Sequence, residues 1–441
     1  MISAGLFTLP GLAYAKVGSA VFLAYLLAGI LSFCSVLCQA ELVSAMPKAG
    51  GAYFYFTRSM GLVTGAIYGL TIWLSLVMKS AFALTGMAII LRPFCNNMNI
   101  HLLAILFCVF FVLISIVGLK EASLIQNIMV VVLLGILLLY SCVGLGQVKM
   151  INFSSLLSKN SSMFFPTVAI IFVSYGGLIE ITSIAEEVKN PRKTIPKSLI
   201  LSILTVTILY TLVVFITVGI MKPDNLRNSF DPLGKAAASF WGYWGVLTIN
   251  LAALLAFITT ANGGLIAASR YPYAGSKDGV LPGFFSRVSF KYKTPYVSII
   301  ATGAFMALVL LLDFEALVGI ASGMAVLTYV LSFLPVFIFR ASGLKNYQPL
   351  FRAPFFPWLQ IAGIIGFIFV LIQLGWQVFW LSIIIVGGGV IAFILNSFCQ
   401  KKNKNEYAWL YLVERFLGKK CTQGNLELEL KEISSENKKE Q

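Results

Sequence analysis

The chain has 441 residues, of which 59% are hydrophobic and only 11% charged. Soluble domains carry about 25% charged residues, so a soluble protein of this size is excluded. The net charge of +15 would point to nucleic acid in a soluble protein. Here its distribution over loops matters more.

Apolar runs follow one another at 5–17, 20–45, 61–91, 100–118, 122–146, 163–185, 197–221, 239–269, 295–312, 315–340, 357–376 and 378–398. At about 20 residues per crossing and about a dozen per loop, this length holds around twelve crossings. The alternating ten-residue segments of an outer-membrane barrel are absent. The expected fold is an all-α polytopic membrane protein of about 12 transmembrane helices. It divides into a membrane domain over 1–398 and a basic, amphipathic tail over 399–441. In the tail, the stretch 407–417 (YAWLYLVERFL) is flanked by lysines and suits a membrane surface. The last fifteen or so residues are polar and expected to be disordered.

The first run is too short to span, since residues 1–17 reach about 25 Å as a helix. No basic region or cleavage site precedes it, which argues against a signal peptide.

Charge in the loops sets orientation. With the loop between the second and third runs placed inside, that side carries fifteen Lys and Arg and the other side seven. The basic tail adds nine more inside. Positive residues stay in the cytoplasm, so the C-terminus is expected to be cytoplasmic. The +15 is then a topology signal, and no nucleic-acid partner is expected. The seven cysteines lie mostly in apolar runs without CxxC spacing and read as small packing residues. One histidine, His101, makes a metal site a poor reading. No phosphate-binding loop is present, and the lone His with isolated intramembrane acids excludes membrane-embedded hydrolysis as a working reading.

Two apolar runs are interrupted by small residues. The first carries Ser3-Ala4-Gly5, then Pro10-Gly11; the sixth carries Ser174-Tyr175-Gly176-Gly177. Lipid cannot satisfy unwound backbone, so such breaks survive where they line a cavity. Paired breaks five segments apart point to an inverted repeat around a midplane site. Helix packing through small residues is the plainer alternative.

These residues carry a resemblance. The run SAGLFTLPG at 3–11 resembles the first-helix break of the amino acid–polyamine–organocation (APC) superfamily. MPKAGGAYFYFTR at 46–58 is similar to its loop between helices two and three. YGGLIEITSIAEEVKNP at 175–191 resembles its sixth-helix break and the loop that follows. ASRYPYAGSKDG at 268–279 and RAPFFPWL at 352–359 resemble elements after helix eight and before helix eleven.

The resemblance implies a LeuT-like fold: helices 1–5 and 6–10 as inverted repeats, helices 11 and 12 appended, and discontinuous helices 1 and 6. It implies an amino-acid permease of the plasma membrane. Transport would run by alternating access, as proton-coupled symport or exchange. No cofactor is implied beyond a transmembrane proton or sodium gradient. A polyamine or organic-amine transporter, or a nontransporting amino-acid sensor, are the alternatives of the same fold. In the family a half-helix precedes the first break. The resemblance therefore implies a first helix that is N-terminally truncated here, either because the missing half is encoded upstream of Met1 or because the product itself is truncated.

On the same resemblance, Ser3, Ala4 and Gly5 offer backbone N–H groups to a substrate carboxylate. Tyr175, Gly176 and Gly177 offer carbonyls to its amine. Leu178 stands where relatives carry an aromatic gate, which favours an aliphatic or neutral side chain. The family's proton-coupled members carry a lysine in helix five, where this chain has Leu133. Lys79, in the middle of the third run, is an intramembrane charge that needs a partner or a role. It is a candidate proton carrier or fixed cation. Glu180 is a candidate partner for Lys79 or for the coupling ion. Thr259 and Thr260 are candidates for a sodium site, though threonine also bonds its own helix. Glu41 reads as interfacial. Glu186, Glu187, Lys189, Arg192 and Lys193 form a charged loop, read either as a latch onto Arg58 or Arg270 or as a solvated loop that follows the positive-inside rule.

Overall fold

The structure is a computed structural model. It describes residues 2–48, 50–94, 98–118, 122–153, 161–178, 180–227, 229–344 and 346–376, then 378, 380, 384, 387, 408, 426 and 429–433. All regular structure among these residues is helical.

Thirteen α-helices follow in chain order: α1 Gly5–Val17, α2 Val21–Ala45, α3 Gly51–Met60, α4 Leu62–Leu91, α5 Ile100–Val117, α6 Ala122–Leu145, α7 Phe164–Ile171, α8 Pro191–Ile220, α9 Pro223–Leu226, α10 Pro232–Lys277, α11 Tyr296–Val309, α12 Phe314–Ser342 and α13 Trp358–Gln373. Each apolar run from 5–17 through 357–376 thus carries a helix. The run 378–398 and the tail stretch 407–417 lie almost wholly outside the described residues. Seven helical stretches are long and apolar enough to cross a membrane, and three shorter ones, 164–174, 296–309 and 358–373, are apolar too. The described residues therefore establish a polytopic helical membrane protein, and the expected count of twelve crossings exceeds what they contain.

Two of the seven stretches are much longer than one crossing. Gly5–Ala45 runs 41 residues and Pro232–Lys277 runs 46. At 1.5 Å per residue each exceeds the roughly 30 Å hydrocarbon core. Both bend at a glycine with positive φ: Gly18 (φ 66) between α1 and α2, and Gly242 (φ 59) inside α10.

The inner bundle is built on α2 against α8, α10 against α4, and α12 against α4. Small residues let these backbones approach, as membrane packing favours. A Cβ at Gly29 would stand 2.4 Å from Thr207 across α2 and α8, and one at Gly264 would meet Ser80 across α10 and α4. Lipid-facing positions such as Leu106, Phe110 and Ile125 are half exposed.

At one end of the bundle sits an ion pair that corrects the reading of Glu41. The Glu41 carboxylate is fully buried. Arg340, on α12, donates to it through Nε at 2.7 Å and through Nη2. The Tyr347 hydroxyl donates at 3.1 Å and the Ala353 N–H at 2.8 Å. Burial, then the adjacent Glu41 charge, hold the Tyr347 phenol well above its usual range, so it stays a donor. Arg192 Nε and Nη2 donate to the carbonyls of Ser44 and Gln348 beside it, both at 2.8 Å. The loop after α12 folds back to supply two of Glu41's partners, which no apolar pattern announces. Arg192 thus serves this junction, and Arg58 pairs with Glu429 at 2.8 Å. The expected latch from the 186–193 loop to Arg58 or Arg270 turns on Glu186 and Glu187. The side chains of Glu186 and Glu187 lie outside the described residues.

The tail also departs from expectation. Residues 429–433 are helical, and Leu426, Leu430 and Ile433 are buried.

Arg340→Met leaves the Glu41 carboxylate buried without its counter-ion, and removal of one partner of such a pair costs about 3–5 kcal/mol. Thermal unfolding in detergent is expected to show a large drop for Arg340→Met and a smaller one for Glu41→Leu/Arg340→Met. Equal drops would show that the pair is not what holds this junction.

Candidate functional site

The two small-residue breaks meet inside the bundle. Ser3 and Ala4 are buried and lie just before the first turn of α1. At the second break, α7 stops at Ile171 and gives way to 3-10 turns at Phe172–Ser174, Gly176–Leu178 and Glu180–Glu187. Such tighter turns satisfy backbone groups poorly, so the unwound stretch needs outside partners. A Cβ on Gly5 would lie 2.1 Å from Ser174 Oγ and 3.0 Å from Ser174 Cβ. Only glycine lets the first break rest directly on the second.

Hydroxyl groups from other helices hold both breaks. Ser3 N–H donates to the Tyr210 hydroxyl on α8. Ala4 N–H donates to Thr260 Oγ1 on α10 at 3.4 Å. Gly5 N–H faces Ser3 Oγ at 3.5 Å. The Tyr25 hydroxyl donates to the Gly5 carbonyl at 3.2 Å. The Tyr175 hydroxyl donates to the Tyr25 carbonyl at 2.8 Å, and the Tyr329 hydroxyl to the Tyr175 carbonyl at 2.7 Å. Four buried tyrosines, from α2, the second break, α8 and α12, thus tie the two breaks together. In hydrocarbon each unsatisfied backbone group costs several kcal/mol. Tyrosine supplies an apolar body with one polar tip to meet it.

Lys79 lies in α4 with 5% of its surface exposed. Its side chain passes against the second break, since a Cβ on Gly176 would stand 3.5 Å from Lys79 Cδ. Beside Gly176 lies a cavity of about 20 Å³, lined by Ile72, Ser75, Leu76, Tyr271, Ala325, Thr328 and Tyr329. Gly177 is buried in the same turn. The side chains of Leu178 and Glu180 lie outside the described residues. Leu133 is buried in α6.

The adjacent threonines diverge. Thr260 reaches the first break. The Thr259 hydroxyl donates to the carbonyls of Leu255 and Ala256 on its own helix, at 2.9 and 3.1 Å. Thr259 also lines a second, larger cavity of about 580 Å³ with Met87, Phe107, Phe111, Gln126 and Asn262. Among the described residues, no cluster of three His, Cys, Asp or Glu stands ready for a metal ion.

The loop between α2 and α4 closes on the stretch that follows the second break. Gly50 and Gly51 take positive φ (89 and 48). A Cβ on Gly51 would stand 2.7 Å from the Thr182 backbone. Arg270 Nη1 donates to the Ser183 carbonyl at 3.4 Å.

The structure therefore brings Ser3, Ala4, Gly5, Tyr175, Gly176, Gly177, Lys79 and Thr260 into one region and turns Thr259 away. Sequence reasoning missed Tyr25, Tyr210 and Tyr329. Their signal was present: a tyrosine deep in an apolar run must find a partner for its hydroxyl.

A polytopic helical chain whose broken helices meet at a buried polar seam has the make-up of a membrane transporter. The profile described as "Amino acid permease" matches residues 1–388, and the chain belongs to that family of transporters. It is 26% identical over 418 residues to the branched-chain amino acid permease BcaP of Bacillus subtilis, covering 90% of each chain. It is 27% identical over 423 residues to the methylthioribose transporter of Bacillus subtilis, again covering 90% of each. It is 29% identical over 339 residues to the vacuolar cationic amino acid transporter 4 of Arabidopsis thaliana, covering 69% of this chain and 55% of that one.

Gly5→Ala is expected to push the first break off Ser174 and lower uptake by reconstituted protein by about tenfold or more, since small displacements at a site cost rate steeply. Gly5→Ala/Ser174→Gly removes the opposing atoms and is expected to restore most of it. Full uptake by Gly5→Ala would show that the breaks need not touch.

Proposed function

We propose that this protein is a secondary transporter that carries amino acids across the plasma membrane by alternating access. The observation that carries the reading is the meeting of the two breaks, Gly5 against Ser174, with backbone groups held by removable hydroxyls. The N–H groups of Ser3, Ala4 and Gly5 end a helix whose positive dipole end faces the seam, which suits a carboxylate. Carbonyls around Tyr175, Gly176 and Gly177 suit an α-amine. A substrate replaces the Tyr210 and Thr260 hydroxyls at the first break and restores every hydrogen bond as it enters.

The arrangement follows a LeuT-like plan. On it, α1, α2, α4, α5 and α6 form one repeat. The α7 segment with its 3-10 turns, α8, α10, α11 and α12 form the inverted second one. Each repeat opens on a broken helix, and α13 is appended. Twelve membrane segments result when the run 378–398 is counted, the first of them shorter than a full crossing. The Arg58–Glu429 pair supports a C-terminus on the same side as α3, which the loop charges place in the cytoplasm.

Coupling runs through Lys79 at the second break, with Glu180, in the stretch that follows the same break, as the candidate acid, in proton symport or in amino-acid exchange. Sodium coupling would engage Thr260 without Thr259. No bound cofactor is required beyond an ion gradient.

Counterflow in proteoliposomes tests the reading. Vesicles loaded with one unlabelled amino acid at a time are expected to draw in the labelled form, and Lys79→Met is expected to keep counterflow while losing the pH response of net uptake. Absence of counterflow with every amino acid, from folded and inserted protein, would sink the transport reading; an unchanged pH response in Lys79→Met would remove the lysine from coupling.

A further inference from the structure

The charges at membrane depth restrict what the site can carry. Leaving aside residues within one position of the ends of the apolar runs, the acids are Glu41 and Glu180 and the base is Lys79. Glu41 is unavailable to a substrate. It is fully buried and accepts from both arms of Arg340, from Tyr347 and from the Ala353 N–H. One acid is left to set against one base. The base is the one held at the site, with Lys79 Cδ 3.5 Å from the Cβ position of Gly176. A carboxylate that meets this ammonium is neutralised by it. An ammonium that meets no carboxylate repels a second cation. In either arrangement the charge that lies against Gly176 among the described residues is the Lys79 ammonium.

A zwitterion with an uncharged side chain enters such a site without leaving an unmatched charge in low dielectric. A cationic side chain does not, and burying an unpaired charge is costly.

Resting on the transport reading above, we infer that Lys79 is a specificity-determining residue that excludes cationic cargo. The substrates are amino acids with uncharged side chains, and lysine, arginine and polyamines are rejected. This separates the chain's cargo from that of its relatives named for cationic amino acids.

The test is uptake by the full chain in proteoliposomes, with labelled leucine, lysine, glutamate and putrescine offered separately. Leucine is expected to enter, and the other three to enter poorly. Lys79→Gln is expected to narrow the leucine-to-lysine ratio of kcat/KM by about a hundredfold, the size of one unit charge at close range in a partly screened interior. The direction holds whether or not a carboxylate meets Lys79, because the substitution either frees that carboxylate or removes a repulsion. Lys79→Arg keeps the charge and is expected to keep the ratio, which separates charge from packing. Monodispersity and thermal unfolding of each variant confirm folding, and the wild-type comparison stands alone should Lys79→Gln not fold. Lysine, putrescine or glutamate entering wild type as efficiently as leucine overturns the inference and leaves the transport reading intact. An unchanged ratio in folded Lys79→Gln also overturns it. No uptake of any of the four overturns the transport reading and the inference with it.

Discussion

Everything at the centre of this protein depends on one constraint: hydrocarbon offers no hydrogen bonds to exposed backbone. Most of the chain meets it by staying helical. Two stretches do not, and each must find partners in other helices. The phenols of Tyr25, Tyr175, Tyr210 and Tyr329, with Thr260, provide them. The packing of α2, α8, α10 and α12 is what brings these hydroxyls to the breaks. Fold and site are therefore one problem, because the same contacts that close the bundle also solvate its unwound backbone.

Glycine sets the distances in this arrangement. Gly5 allows the two breaks to touch, and Gly51 allows α3 to lie on the backbone of Thr182. The first contact belongs to the buried seam. The second belongs to the stretch that leads away from it. A motion that separates one pair need not separate the other, which gives the bundle two independent places to open.

Much of this was legible in the sequence. Apolar run lengths are fixed by the thickness of the bilayer, so the helices from 5–17 through 357–376 stood out. The breaks stood out because Ser3-Ala4-Gly5 and Gly176-Gly177 interrupt runs that have every reason to continue. Lys79 stood out because a charge in the middle of a run is costly. Other features were hidden for physical reasons. Tyr210 reads as one more apolar residue, and its partner Ser3 lies far away in sequence. Glu41 was visible as a charge, but its burial depends on the loop after α12 folding back to deliver Tyr347 and Ala353. Thr259 and Thr260 are indistinguishable in sequence, and 100° of helical rotation sends one to its own carbonyls and the other to Ala4. The packed residues at 429–433 look like a solvated tail because their burial comes from the rest of the molecule.

The Glu41–Arg340 pair has an electrical consequence. Membrane voltage does work only on charge that moves through the field, about 2.3 kcal/mol per elementary charge per 100 mV. A bidentate pair that travels as a unit presents the field with a dipole and no net charge. Translation of the pair along the field is then insensitive to voltage, and only a turn of its dipole does electrical work. Any charge moved during a conformational cycle is therefore charge other than that of this pair.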